Sequence, residues 1–81
     1  VLQRIELAEA ALRAHGFRQF RVRHHGPVAR IEVGPDEMAR AFALREQLGQ
    51  ALQAAGYVFV ALDVFGYRHG ALNALLGQET H

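Results

Sequence analysis

Two arginines stand two apart in the run FRQFRVRHH: Arg21 and Arg23. If that run is extended, residues i and i+2 share a face, so two guanidinium groups emerge side by side. Arg30, in the following run VARIEV, can lie beside them once the two runs pair, because cross-strand neighbours sit about 4.5–5.5 Å apart at Cβ. Three like charges that close need something to offset them. One candidate is an anion, since a phosphate matches the planar guanidinium fork bidentately. The other is a set of acidic partners such as Glu32 and Asp63, giving a surface ladder of ion pairs worth about 0–1 kcal/mol each. Both readings of Arg21, Arg23 and Arg30 are open on spacing alone.

Other side chains carry weaker signals. Glu9 falls between Ile5 and Leu12 on the apolar stripe of a helical pattern, where a carboxylate is costly unless paired. It either pairs with Arg13 at i,i+4 or reaches an arginine of the sheet. Asp36 reads most simply as an acid at a helix start. His24 and His25 are adjacent, so on a strand they point to opposite sides and cannot easily hold one metal ion. His69 and His81 add no ligand spacing, and no metal site is expected. The stretch GYRHG is either a turn or a backbone nest for an anion.

Absent residue types exclude more than present ones suggest. The chain has no Cys, no Ser and a single Thr, Thr80. Thiol nucleophiles, thiolate zinc sites and Ser–His–Asp chemistry are therefore out. All nine basic residues are Arg, so there is no Schiff-base lysine and no phosphate-loop lysine. The formal charge of +1 and the lack of Lys weigh against nucleic acid as a partner. No run of 18 apolar residues exists to span a membrane, and no basic-then-apolar leader opens the chain. The expected location is cytoplasmic. With 81 residues the chain is one domain, expected over 1–76 with a frayed tail at 77–81. The missing initiator Met suits a piece of a longer protein.

The elements that must position these groups follow from periodicity. Residues 2–15 read as a helix, with Leu2, Ile5, Ala8, Glu9 and Leu12 on one side and Gly16 as its stop. Residues 17–24 and 28–33 alternate around His25-Gly26-Pro27, a β-hairpin signal. Pro35, Asp36 and Glu37 open a second helix. Its stripe is Met38, Ala41, Phe42, Leu48, Ala51, Leu52 and Ala55, with a possible break at Gly49 and an end at Gly56. Residues 57–64 read as a strand covered on both faces, followed by a turn and a last helical turn. The segments ALRAHGFRQFRV and ALQAAGYVFVAL share a helix–Gly–aromatic–strand pattern, two copies of one connection. The fold class is α/β (α+β) in two layers: an α-β-β-α-β order with a three-stranded mixed sheet and both helices on one face. The helices should cover Phe20, Val22, Ala29, Ile31, Val33, Val58, Val60 and Leu62. The opposite face should carry Gln19, Arg21, Arg23, Val28, Arg30, Glu32, Tyr57, Phe59, Ala61 and Asp63.

Three stretches together resemble the C-terminal part of the LarE family, ATP-dependent sacrificial sulfur transferases of the PP-loop superfamily. They are IELAEAALRAHGFRQFRVRHHGPVARIEVGPDEM, QAAGYVFVALDVFGYR and GALNALL. The resemblance covers about the first 76 residues. It implies that the chain is one domain of a larger enzyme whose N-terminal PP-loop domain binds ATP through an SGGxDS motif, with ATP and magnesium as that parent's cofactors. That family adenylates a carboxylate of a pyridinium dicarboxylate mononucleotide. In its best-known type a cysteine then surrenders its sulfur, giving a thiocarboxylate precursor of the nickel-pincer cofactor. By resemblance, Arg21 and Arg23 match an R-x-R pair that holds a phosphate, Glu9 matches an acidic residue near that site, and Asp36 is the candidate for a further acid. These four are the implied catalytic residues, with Arg21, Arg23 and Arg30 as the anion-binding set. The resemblance also implies a homo-oligomer, a phosphate-bearing substrate, and no cofactor bound by this segment alone. The PP-loop and the sulfur-donating cysteine are absent here, and His69 and Ala71 stand where the family commonly has Ser. In this reading Tyr57 and Phe59 pack against a neighbouring domain or subunit. The rival readings are a pure protein-interaction module and an RNA-binding module in which Arg and aromatic side chains stack on bases.

Overall fold

Residues 1–67 are described by the structure, a computed structural model. Helix α1 (Leu2–Ala14) leads to strands β1 (Phe20–His25) and β2 (Val28–Val33). A 3-10 turn (Pro35–Glu37) then precedes helices α2 (Met38–Ala43) and α3 (Arg45–Ala54) and strand β3 (Phe59–Leu62). The sheet order is β1-β2-β3. β1 and β2 pair antiparallel, and β2 and β3 pair parallel. This is the expected three-stranded mixed sheet in an α-β-β-α-β order. The last helical turn, the GYRHG stretch beyond Tyr67 and the tail 77–81 lie outside the described residues.

The hairpin closes through Gly26-Pro27, with His25 opposite Val28. The Pro27 carbonyl then accepts the N–H groups of Val58 (2.8 Å) and Phe59 (3.1 Å), so the same turn seats the start of β3. One core fills the space between layers. Ala8 and Leu12 of α1, Ala41 of α2, and Leu48 and Leu52 of α3 meet Val22, Ala29, Ile31 and Val33 of the sheet. Alternation along β1 and β2 supplies that face, as the period of two requires.

The two helix–Gly–aromatic connections are built alike. Gly16 (φ +88°) and Gly56 (φ +120°) each follow a helix end. The Gly16 N–H donates to Arg13 O and the Phe17 N–H to Leu12 O; the Gly56 N–H donates to Gln53 O and the Tyr57 N–H to Leu52 O. This is the Schellman closure, in which a left-handed residue lets its own amide and the next one satisfy the last helical carbonyls. The aromatic residue after the glycine turns into the core: Phe17 and Tyr57 are each 2% exposed. Two expectations are corrected here. β1 and β3 begin at Phe20 and Phe59, not at residues 17 and 57, because the closure consumes the intervening residues. Tyr57 is therefore a core residue and not part of the open face, whereas Val58, expected inside, is exposed.

The helical segment after β2 breaks at Leu44 (φ −96°, ψ 16°), not at Gly49. Leu44 packs against the core, and Ala41 before the break and Leu48 after it are both buried. Gly49 stays inside α3 at a cost of about 1 kcal/mol relative to Ala. Phe42, expected on the buried stripe, is exposed, with the Arg45 guanidinium 4.4 Å from its ring centroid. Leu2 is likewise exposed at the start of α1.

Candidate functional site

The face of the sheet turned away from the helices carries the arginines. Arg21 lies opposite Glu32, and Arg23 lies opposite Arg30. Arg23 Nε donates to Glu32 Oε1 at 3.2 Å, and Arg30 Nη1 donates to Glu32 Oε2 at 3.0 Å and to Asp63 Oδ2. Glu32 is only 7% exposed although it sits on the open face. A carboxylate covered that far must be paired, and two guanidinium groups do so. Asp63 is held from the other side by the loop that follows β3. Its Oδ1 accepts the Phe65 N–H at 2.8 Å. That backbone bond, helped by Arg30 and by the Gly66 N–H against the opposing effect of burial, keeps the Asp63 carboxyl below its ordinary range.

The same loop delivers an aromatic ring to the arginines. The Gly66 N–H donates to Asp63 O, and the Tyr67 N–H donates to Val33 O at 2.7 Å. Gly66 is buried at φ +74°, and a Cβ there would lie 2.5 Å from Val33 O. Only glycine fits. Tyr67 is thereby set beside Arg21, whose guanidinium carbon is 5.6 Å from the ring centroid, within cation–π range.

The arrangement divides the three arginines by task. Arg30 is neutralised by two carboxylates, both met through its Nη1. Arg23 spends only its Nε on Glu32, and its terminal nitrogens have no partner among the described residues. Arg21 makes no ion pair among the described residues and is steadied by Tyr67 alone. Three guanidinium groups face two carboxylates, which leaves one positive charge in excess. Phe59, 62% exposed, lies on the same face.

Glu9 and Asp36 are placed elsewhere. Glu9 is half-buried on α1, in the helical layer. It pairs neither with Arg13 nor with a sheet arginine among the described residues; Arg13 lies 5.9 Å from the Phe20 ring centroid instead. Asp36 is exposed on the 3-10 turn. It lines a cleft of about 670 Å³ with Gly16, Arg18, Gln19, Glu37 and Arg40. The structure thus brings Arg21, Arg23 and Arg30 together and leaves Glu9 and Asp36 apart from them.

Glu37, expected only as an acid at a helix start, does more. Its buried carboxylate accepts the backbone N–H groups of Arg18 (3.2 Å) and Gln19 (3.1 Å) and the Arg40 Nη2 donor at 2.8 Å. Arg40 also donates to the carbonyls of His15 and Gly16 and stacks 4.2 Å from the Phe17 ring centroid. Burial pushes the Glu37 carboxyl up, but the Gln19 and Arg18 amides and Arg40 more than offset it, so the group titrates below its ordinary value. The spacing of Glu37 and Arg40 at i,i+3 was the available signal.

The histidines separate as the strand geometry requires. His24 faces the helical layer, where its Nδ1 is 2.8 Å from the Tyr57 hydroxyl, while His25 is exposed. Burial raises the Tyr57 phenol above its usual value, with Arg4 acting against it. No group of three or more His, Asp or Glu side chains among the described residues could hold a metal ion. No helix among them is long and apolar enough to cross a membrane.

No family model matches the chain. It is 41% identical over 78 residues to uncharacterized protein slr1717 of Synechocystis sp., covering 93% of the chain and 29% of that protein. It is 33% identical over 75 residues to pyridinium-3,5-bisthiocarboxylic acid mononucleotide synthase of Lactiplantibacillus plantarum, covering 93% of the chain and 27% of that enzyme. The chain is thus related to a segment of this synthase, and it spans less than a third of the length of these relatives.

Proposed function

We propose that the chain is the C-terminal phosphate-recognition and assembly domain of a sulfur transferase in nickel-pincer cofactor biosynthesis. The relative from Lactiplantibacillus plantarum is named for a pyridinium mononucleotide, and a mononucleotide carries a phosphate. The observation that carries the reading is the division among the arginines. Glu32 and Asp63 hold Arg30 and the Nε of Arg23, which leaves Arg21 and the terminal nitrogens of Arg23 available on one face. Two adjacent guanidinium groups are suited to a phosphate dianion. Arg30 would position Arg23 through the shared carboxylate. Glu9 and Asp36 would act with the remainder of the enzyme, which would supply the PP-loop domain, ATP and magnesium. The parent would work in the cytoplasm as a homo-oligomer.

Calorimetric titration with inorganic phosphate and with nicotinic acid mononucleotide tests this. Arg21→Ala should weaken binding about tenfold, the loss of one charge-assisted contact. The Arg21→Ala/Arg23→Ala double variant should bind neither probe, with an unchanged circular dichroism spectrum. Equal binding by wild type and double variant discards the anion role.

A second reading has its own support. Phe59 stands exposed beside the arginines, as it would in an interface between domains or subunits. Assembly that proceeds without phosphate in light scattering, together with no phosphate binding, selects that reading.

A further inference from the structure

One apolar surface lies outside the core. Between α2 and the end of β3 is a groove of about 360 Å³, lined among the described residues by Met38, Ala39, Phe42, Leu62 and Val64. None of these carries a charge. Phe42 is 60% exposed and Val64 81%. Large apolar side chains gathered in this way mark a place where something docks.

The path of the chain leads to this groove. After β3 it turns through Gly66, where an added Cβ would lie 3.0 Å from Met38 Cε, and the Tyr67 N–H is fixed on Val33 O. The sequence then continues RHGALNALLGQETH. Residues 70–78 carry no charge. Leu72, Leu75 and Leu76 stand at i, i+3 and i+4, the spacing that puts three side chains on one face of a helical turn, and Gly77 follows as a stop. Leu72 is five positions beyond Tyr67, a reach of up to about 17 Å. Met38 and Phe42 are about 6 Å apart along α2, well inside that reach.

We infer that residues 71–76 dock in this groove of their own chain, with Leu72, Leu75 and Leu76 against Met38, Phe42 and Val64. Two arguments select this occupant. The tether is short, so the segment is present at an effective concentration on the order of millimolar, and a second copy cannot compete in dilute solution. The other surface within reach of Tyr67 is the open face of the sheet, where Arg21, Arg23, Arg30, Glu32 and Asp63 stand. Leucines laid there would strip water from charged groups, a cost the groove does not impose. Docked, the segment covers Val64 and straps down the loop 63–67, which holds Asp63 and Tyr67 beside the arginines. The inference goes beyond the function proposed above and requires no phosphate binding.

Methyl-resolved NMR on the full chain, labelled throughout and then mixed with unlabelled chain, tests it. The expected result is a set of intramolecular contacts from the Leu72 and Leu75 methyls to the Phe42 ring. The Leu72→Asp/Leu75→Asp double variant should speed hydrogen exchange of the Tyr67 amide at least about tenfold and leave the amides shared by β1 and β2 unchanged. Phe42→Asp should reproduce the effect from the other side of the contact. Leu7→Asp, at an exposed position on α1, should have none. Methyl contacts to Phe59 or to a second copy, no contact with the Phe42 ring, or Tyr67 exchange indifferent to the double variant overturns the inference. No arm reads phosphate binding, so failure of the anion role in calorimetry leaves this result intact.

Discussion

Glu37 joins three segments through one carboxylate: the corner between α1 and β1, the 3-10 turn, and α2. Removing it leaves two part-buried backbone donors, those of Arg18 and Gln19, without their acceptor and takes one contact from Arg40. Glu37→Ala should therefore destabilise by roughly 2–4 kcal/mol in urea unfolding, while Glu37→Gln should cost less because its carbonyl oxygen still accepts. A double-mutant cycle with Arg40→Leu should show coupling, since the two side chains touch. The sequence was legible for Arg21, Arg23 and Arg30 because a period of two fixes which side chains share a face. It put Glu37 at a helix start but could not show what its carboxylate binds, because the partners there are amide groups of Arg18 and Gln19, and every residue but proline has an amide. Nor could spacing say which arginine would meet two carboxylates. That depended on Asp63 arriving from a strand 33 residues away from Arg30.

At the scale of elements, the paired corners show what pattern reading captures and what it loses. The recurrence of a leucine, three further residues, a glycine and an aromatic in L-R-A-H-G-F and L-Q-A-A-G-Y was visible, and it does mark one repeated connection. Alternation does not run backward through it, however, so Tyr57 leaves the open face on which that pattern puts it. The closure of each helix takes the aromatic inward before the strand period starts. The loop after β3 is equally specific. Gly66→Ala would force a left-handed backbone on alanine and drive its methyl into Val33 O. The expected loss is roughly 2–4 kcal/mol, readable as a lowered urea midpoint. The same variant should weaken phosphate binding, because the turn positions both Asp63 and Tyr67 beside the arginines. The break at Leu44 was not legible, since the stripe on either side of it continues at helical spacing.

For the whole molecule, the two perturbed carboxyls set the response to acid. Asp63 and Glu37 both titrate lower in the folded chain than in the unfolded one. The folded state thus binds fewer protons, and the associated stability is present above the ordinary carboxylate range and lost as pH falls through the folded values. Thermal midpoints should hold level from neutral pH to about pH 5 and then decline. Glu37→Gln and Asp63→Asn should each flatten part of that decline. The overall order of elements and the mixed sheet were legible because two alternating runs, two amphipathic stretches and one apolar run admit few packings. The central place of β2 has a further, kinetic meaning. Its contacts with β1 span a two-residue turn, while those with β3 wait on the whole helical crossover. Closing the shorter loop costs less chain entropy, so the arginine ribbon should take shape early in folding and the apolar strand should dock last.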